Sequence, residues 1–109
     1  MAELLARYGP VQPGTAASTV ITCGAASTFV VVRHLHLVNA SAASCWVTIG
    51  INGTAAANAL WFQVALPAGD FLDWTGNIPL LGGASPDTLQ VIAQTASALT
   101  LTIGAVSGP

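Results

Sequence analysis

The chain has 109 residues, a length that fits one domain and leaves little room for a second. Hydrophobic residues make up 53% and charged residues 6%, where an average globular domain carries about 25% charged. Lysine is absent, the charged side chains are Glu3, Arg7, Arg33, Asp70, Asp73 and Asp87, and a net charge of −2 with two basic residues excludes a nucleic-acid binder, which must neutralise several phosphates.

Met1–Thr15 holds Gly9, Pro10, Pro13 and Gly14. Beyond one turn of helix at Ala2–Tyr8, it reads as an extended arm that docks onto a neighbour. It has no apolar core of the kind a secretory leader needs. Ser18–Cys23 is the first strand expected, ending at Gly24. Thr28–Asn39 is the strongest, rich in β-branched residues and then alternating. Strict alternation puts Phe29, Val31, Arg33, Leu35 and Leu37 on one face, and Val30, Val32, His34, His36 and Val38 on the other. Both faces are apolar, so this strand is expected at the centre of the fold and covered on both sides.

Cys45–Ile51 follows as a strand, and Asn52-Gly53 is a tight-turn signal. Leu60–Leu66 sets Leu60, Phe62, Val64 and Leu66 against Trp61, Gln63 and Ala65, which points Trp61 away from the core. Pro67–Asp70 reads as a turn, Phe71–Thr75 as a short strand, and Gly76-Asn77 as another turn. Ile78–Leu81 is demoted to an edge by Pro79. Thr88–Gln94 and Ala98–Val106 close the chain. Short strands at this spacing predict an all-β fold, a single small antiparallel β-sandwich or jelly roll of seven to eight strands. The domain boundaries expected are 1–17 for the arm and 18–109 for the sandwich.

Few side chains suggest chemistry. His34 and His36 point to one face of a strand and are the metal candidates, but two ligands do not make a site. The competing reading packs them at a subunit contact. Asp70 and Asp73 share a segment that begins at a turn, where capping outweighs acid–base work. No nucleophile, phosphate-binding loop or cofactor motif is present, so neither an enzyme nor a cofactor is expected. Cys23 and Cys45 read either as a disulfide or as two small buried apolar residues. Asn39-Ala40-Ser41 and Asn52-Gly53-Thr54 match the glycosylation acceptor pattern, which is common by chance. No apolar run reaches the roughly 18–20 residues of a spanning helix. The scarcity of charge therefore points to a surface covered by other subunits, because obligate interfaces are depleted in charge. Leu4, Leu5, Tyr8, Trp61, His34 and His36 are the candidate interface residues.

The order of features resembles a known group. Val32–Asn39 has a Val-Arg start, alternating apolar positions and a closing Asn; Pro67–Asp70 forms a Gly-Asp turn; Leu81–Val91 and the Leu-Thr strand Leu99–Gly104 follow. Across residues 18–106 this resembles the small β-sandwich structural proteins of tailed bacteriophages. Ala84-Ser85-Pro86 departs from that pattern by lengthening one loop. The resemblance implies a virion protein, assembled in the host cytoplasm as a trimer or higher homo-oligomer with other tail or capsid proteins. It fits a minor tail or tail-tip protein, or a capsid decoration protein. The alternative is a carbohydrate-binding module of the receptor-binding apparatus, with tryptophans stacked on a host surface glycan.

Overall fold

The computed structural model describes residues 4–25 and 28–108. Eight strands follow in order: β1 (Leu4–Val11), β2 (Ser18–Thr22), β3 (Phe29–Asn39), β4 (Cys45–Ile51), β5 (Ala59–Leu66), β6 (Phe71–Leu81), β7 (Thr88–Ala93) and β8 (Leu99–Gly108). A single 3-10 turn, Ala56–Asn58, precedes β5. The strands form two four-stranded antiparallel sheets, a front sheet ordered β1-β8-β3-β6 and a back sheet ordered β2-β7-β4-β5. Every pairing is nested: β4 with β5, β3 with β6, β2 with β7 and β1 with β8. The chain is in effect one long hairpin, bent at β4–β5 and rolled up, with the β3–β8 and β4–β7 contacts closing the roll. That is the jelly-roll arrangement among the two forms expected.

The core lies between the sheets. Val32, Leu35 and Leu37 of β3 and Leu99, Leu101 and Ile103 of β8 meet Val47 and Ile49 of β4 and Leu89 and Val91 of β7, all essentially inaccessible to water. Each such side chain contributes about 1.5–3 kcal/mol by burial.

One irregularity decides which side chains reach that core. Val32 pairs with Ala105 and Ile78, whereas His34 pairs with Gly104 and Thr75. Arg33 is thus an extra residue against β8, while Gly76 and Asn77 together oppose it on β6. Such a bulge shifts the side-chain phase by one position. Buried residues are even-numbered before it (Val30, Val32) and odd-numbered after it (Leu35, Leu37, Asn39). The unbroken alternation expected for this strand therefore fails at Arg33. The strand is central, but only its inner side is covered within the chain. Val31, His34, His36 and Val38 stand on the outer side, half-buried.

The turn expected at Gly76-Asn77 is that same bulge, and β6 runs through it as a single 11-residue strand. Glycine is needed there because the Trp74 indole lies over it: a Cβ on Gly76 would come within 2.5 Å of the ring. Pro79 does sit on an edge strand. The segment expected as a free arm is also different. Leu4–Val11 is extended but hydrogen-bonded along β8, with no helical turn in its described part. Its Gly9 and Pro10 form a bulge between Tyr8 and Val11; Gly9 has φ +91°, and a Cβ would meet the Leu101 carbonyl oxygen at 2.5 Å. The eight strands therefore differ from the eight expected segments at two places: Leu4–Val11 is a strand in place of an arm, and Phe71–Leu81 is one strand in place of two.

Gly76→Ala is expected to cost about 1–3 kcal/mol in denaturant unfolding. Deletion of residues 1–11 should lower the melting temperature by about 10 °C or more, by exposing Ile103 and Ala105. A truncated chain that melts like the full one would show that β1 is dispensable.

Candidate functional site

Residues paired across an antiparallel sheet share a face, so the outer side of the front sheet can be read row by row. One row crosses all four strands: Leu5, Val106, Val31 and Pro79. The next is Arg7, Gly104, His34 and Thr75, then Thr102, His36 and Asp73, then Thr100, Val38 and Phe71. Leu5 is 91% exposed, and Leu81 and Phe71 are more than half exposed. One half of this face is apolar and the other carries its polar groups. The back sheet differs. Its outer side presents Thr19, Thr22, Thr88 and Gln90 around the half-buried Trp46 and Ile92, with Leu60 and Phe62 exposed at the β5 edge.

Asp73 organises the polar half. It stands opposite His36 and accepts two hydrogen bonds on Oδ1, from His34 Nε2 at 2.6 Å and from His36 Nδ1 at 3.2 Å. The imidazoles lie 6.4 Å apart, nearly parallel, and His36 leans on Phe71 at 5.7 Å. The hydrogen bonds from His34 and His36 hold the Asp73 carboxyl below its ordinary value of 3.8. These three side chains are half-exposed, so solvent screens the pair. The two histidine nitrogens are spent on a carboxylate. Among the described residues no group of three or more His, Cys, Asp and Glu is arranged to hold a metal ion.

The other candidates separate. Leu4 is exposed on β1 but faces the opposite way from Leu5. Tyr8 is half-buried against the core. Trp61 is not directed outward as expected. Val47 pairs with Val64 and Ile49 with Trp61, so Phe62 and Gln63 bulge out of β5, with Gln63 at φ +46°. The bulge turns Trp61 inward and leaves Leu60 and Phe62 as the exposed pair. Trp61 then packs edge-on to Trp74 at 5.4 Å, between the two edge strands β5 and β6. A glycan platform needs two rings open in one groove. Here two tryptophans face each other and Trp46 stands on the outer side of the back sheet; no ligand-sized cavity opens among the described residues. Nor is any described helix long and apolar enough to cross a membrane.

Four polar residues serve the fold, and two of them, Asn39 and Asn52, are the asparagines of the two acceptor-pattern matches. Asn39 is fully buried: its amide donates to the Ala43 and Leu66 carbonyls, and its Oδ1 accepts from Ser41. Asn52 donates to Asp87 and accepts from the Thr88 N–H. Asp87 also accepts the Leu81 N–H, and these bonds hold its carboxyl below the ordinary range. Asp70 accepts the Phe71 N–H at its turn. Cys23 and Cys45 are buried free thiols.

No protein-family model matches the chain, and no curated protein matches it. Among solved structures it is similar to the structure of infectious bursal disease virus Gt strain, at 14% identity and a TM-score of 0.43, covering 97% of this chain and 30% of that one. The chain thus spans less than a third of that protein's length.

Because its folded-state pKa is lowered, Asp73 adds stability that is complete above the ordinary carboxylate value. This contribution is lost as pH falls through the lower, folded-state value. Asp73→Asn should therefore flatten the pH dependence of unfolding free energy below about pH 4 and leave it unchanged at pH 7–9. An acid limb identical to wild type would refute the pairing. Asn39→Asp sets a carboxylate against two carbonyl oxygens and should cost about 2–4 kcal/mol at neutral pH by chemical denaturation.

Proposed function

We propose that this chain is a non-enzymatic structural component of a tailed-bacteriophage virion, one that works by assembling with copies of itself on the particle. The observation that carries the reading is the outer side of the front sheet. It holds a row of apolar side chains four strands wide, with Leu5 almost wholly exposed, on a chain with six charged side chains. A free monomer would keep that surface in water with little charge to prevent association. The jelly roll presents the surface rigidly, since the sheet's inner side is locked into the core.

The resemblance over residues 18–106 supports the particle assignment. A minor tail or tail-tip position and a capsid decoration position both accommodate a small sandwich that contributes surface and no chemistry. Fold and surface together favour this reading over a glycan-binding module, because the tryptophans are not arrayed as a platform.

Light scattering of the purified chain is expected to give a homo-oligomer at all but the lowest concentrations. A soluble monomer throughout would overturn the assembly reading. The chain should also band with phage particles on a density gradient and stay with them after washing. Its absence from washed particles would overturn the virion assignment.

A further inference from the structure

We infer that the outer side of the front sheet is a two-fold contact between two copies of this chain, packed sheet on sheet with the axis parallel to the strands. The inference rests on the assembly reading above and names the surface and symmetry that serve it.

The edges of the sandwich are poorly suited to the task. An edge strand recruits a partner when it offers a straight row of free backbone groups. All four edge strands here are broken by a bulge: β1 at Gly9-Pro10, β2 at Val20, β5 at Gln63 and β6 at Gly76-Asn77. Pro79 also removes a donor from β6. Such irregularities twist an edge out of register and leave faces as the means of association. Of the two outer faces, the back one sets Thr and Gln beside Trp46, Ile92 and, at its β5 edge, the exposed Leu60 and Phe62, and its strands carry no charged side chain to fix an orientation.

The front face is complementary to itself under one rotation. A two-fold axis running along the strands between β8 and β3 exchanges β1 with β6 and keeps each row at its own level. The row Leu5, Val106, Val31, Pro79 then lies on the same row of the second copy, apolar on apolar. Arg7, on β1, comes over Thr75 of the second copy with Asp73 one row away, within the reach of an arginine side chain. Among the described residues Arg7 has no ion-pair partner within its own chain. The face thus bears a cation at one edge and an anion at the other, the arrangement an isologous contact needs and a like-on-like overlay would penalise.

The area also suffices. Four strands about 4.8 Å apart, with rows about 3.3 Å per residue along the 11 residues of β3, give a face of roughly 700 Å². A stable pair of proteins buries about 800 Å² on each partner, so this face used whole matches one standard interface. Two stacked sheets cross at about 30°, which their twist supplies without distortion.

Two variants test the contact. Leu5→Glu sits on a fully exposed edge position and leaves the fold intact by circular dichroism, yet should weaken self-association about tenfold or more by analytical ultracentrifugation. The double variant Arg7→Cys with Thr75→Cys reports the rotation. Within one chain these positions are three strands apart, about 14 Å, too far for a disulfide. Across the proposed axis they face each other at the roughly 10 Å spacing of packed sheets, so a short bifunctional thiol reagent should give a covalent dimer, while either single variant stays monomeric on a denaturing gel. A wild-type oligomer that ignores Leu5→Glu and yields no crosslinked dimer overturns the contact and leaves the assembly reading standing. A wild-type monomer overturns the assembly reading itself.

Discussion

The two faces of a β-strand are one residue apart, and in β3 a single inserted residue decides which is which. Without the bulge at Arg33, Val30 and Val32 would share a face with His34 and His36, and one imidazole pair would be driven into the core or two valines into water. Burying even one unpaired imidazole would cost several kcal/mol, on the scale of the whole stability of a small domain. The bulge resolves this by turning Leu35 and Leu37 inward and the histidines outward. It requires two residues of β6 opposite one of β3. Gly76 makes room for this because the Trp74 ring occupies the space a side chain would take. The register of the front sheet, and with it the composition of its outer face, follows from that accommodation.

The same device recurs at the margins. Bulges in β1, β2, β5 and β6 end the straight run of backbone at every edge, so a chain with almost no charge is protected against open-ended strand addition by geometry. In β5 the bulge at Gln63 also moves Trp61 inside, where it meets Trp74 and closes one side of the sandwich. The other side is closed by β1 along β8. On the outer side of the front sheet the apolar, cationic and anionic groups stand in fixed places.

With so few polar side chains, those present carry more of the structure. Asn39 joins the end of β3 to the loop after it and to the end of β5, with each amide proton and the carbonyl oxygen paired. Asn52 and Asp87 join the turn after β4 to the start of β7 and the end of β6. These bonds hold together loops that the apolar core does not reach. They also explain why two apparent glycan-acceptor sequences stand where they do, since an asparagine at a turn is valuable for the turn.

Much was legible from the residues alone. Strand-forming composition, period-two alternation and turn signals determined an all-β sandwich, the central place of Thr28–Asn39 and the edge position of Pro79, because these depend on local sterics and burial. Charge scarcity pointed to a covered surface. Three things depended on pairing across the sheet and were decided only by the tertiary structure. Leu4–Val11 is a strand because β8 offers it an edge, although its own Gly and Pro argue for an arm. Asp73 joins His34 and His36 because β6 continues through a Gly-Asn pair that alone reads as a turn. Trp61 and Leu5 owe their inward and outward directions to bulges or partners on neighbouring strands. A bulge has no strong local signature: its cost and benefit lie in the register of two chain segments distant in sequence, and that register exists only once the sheet is built.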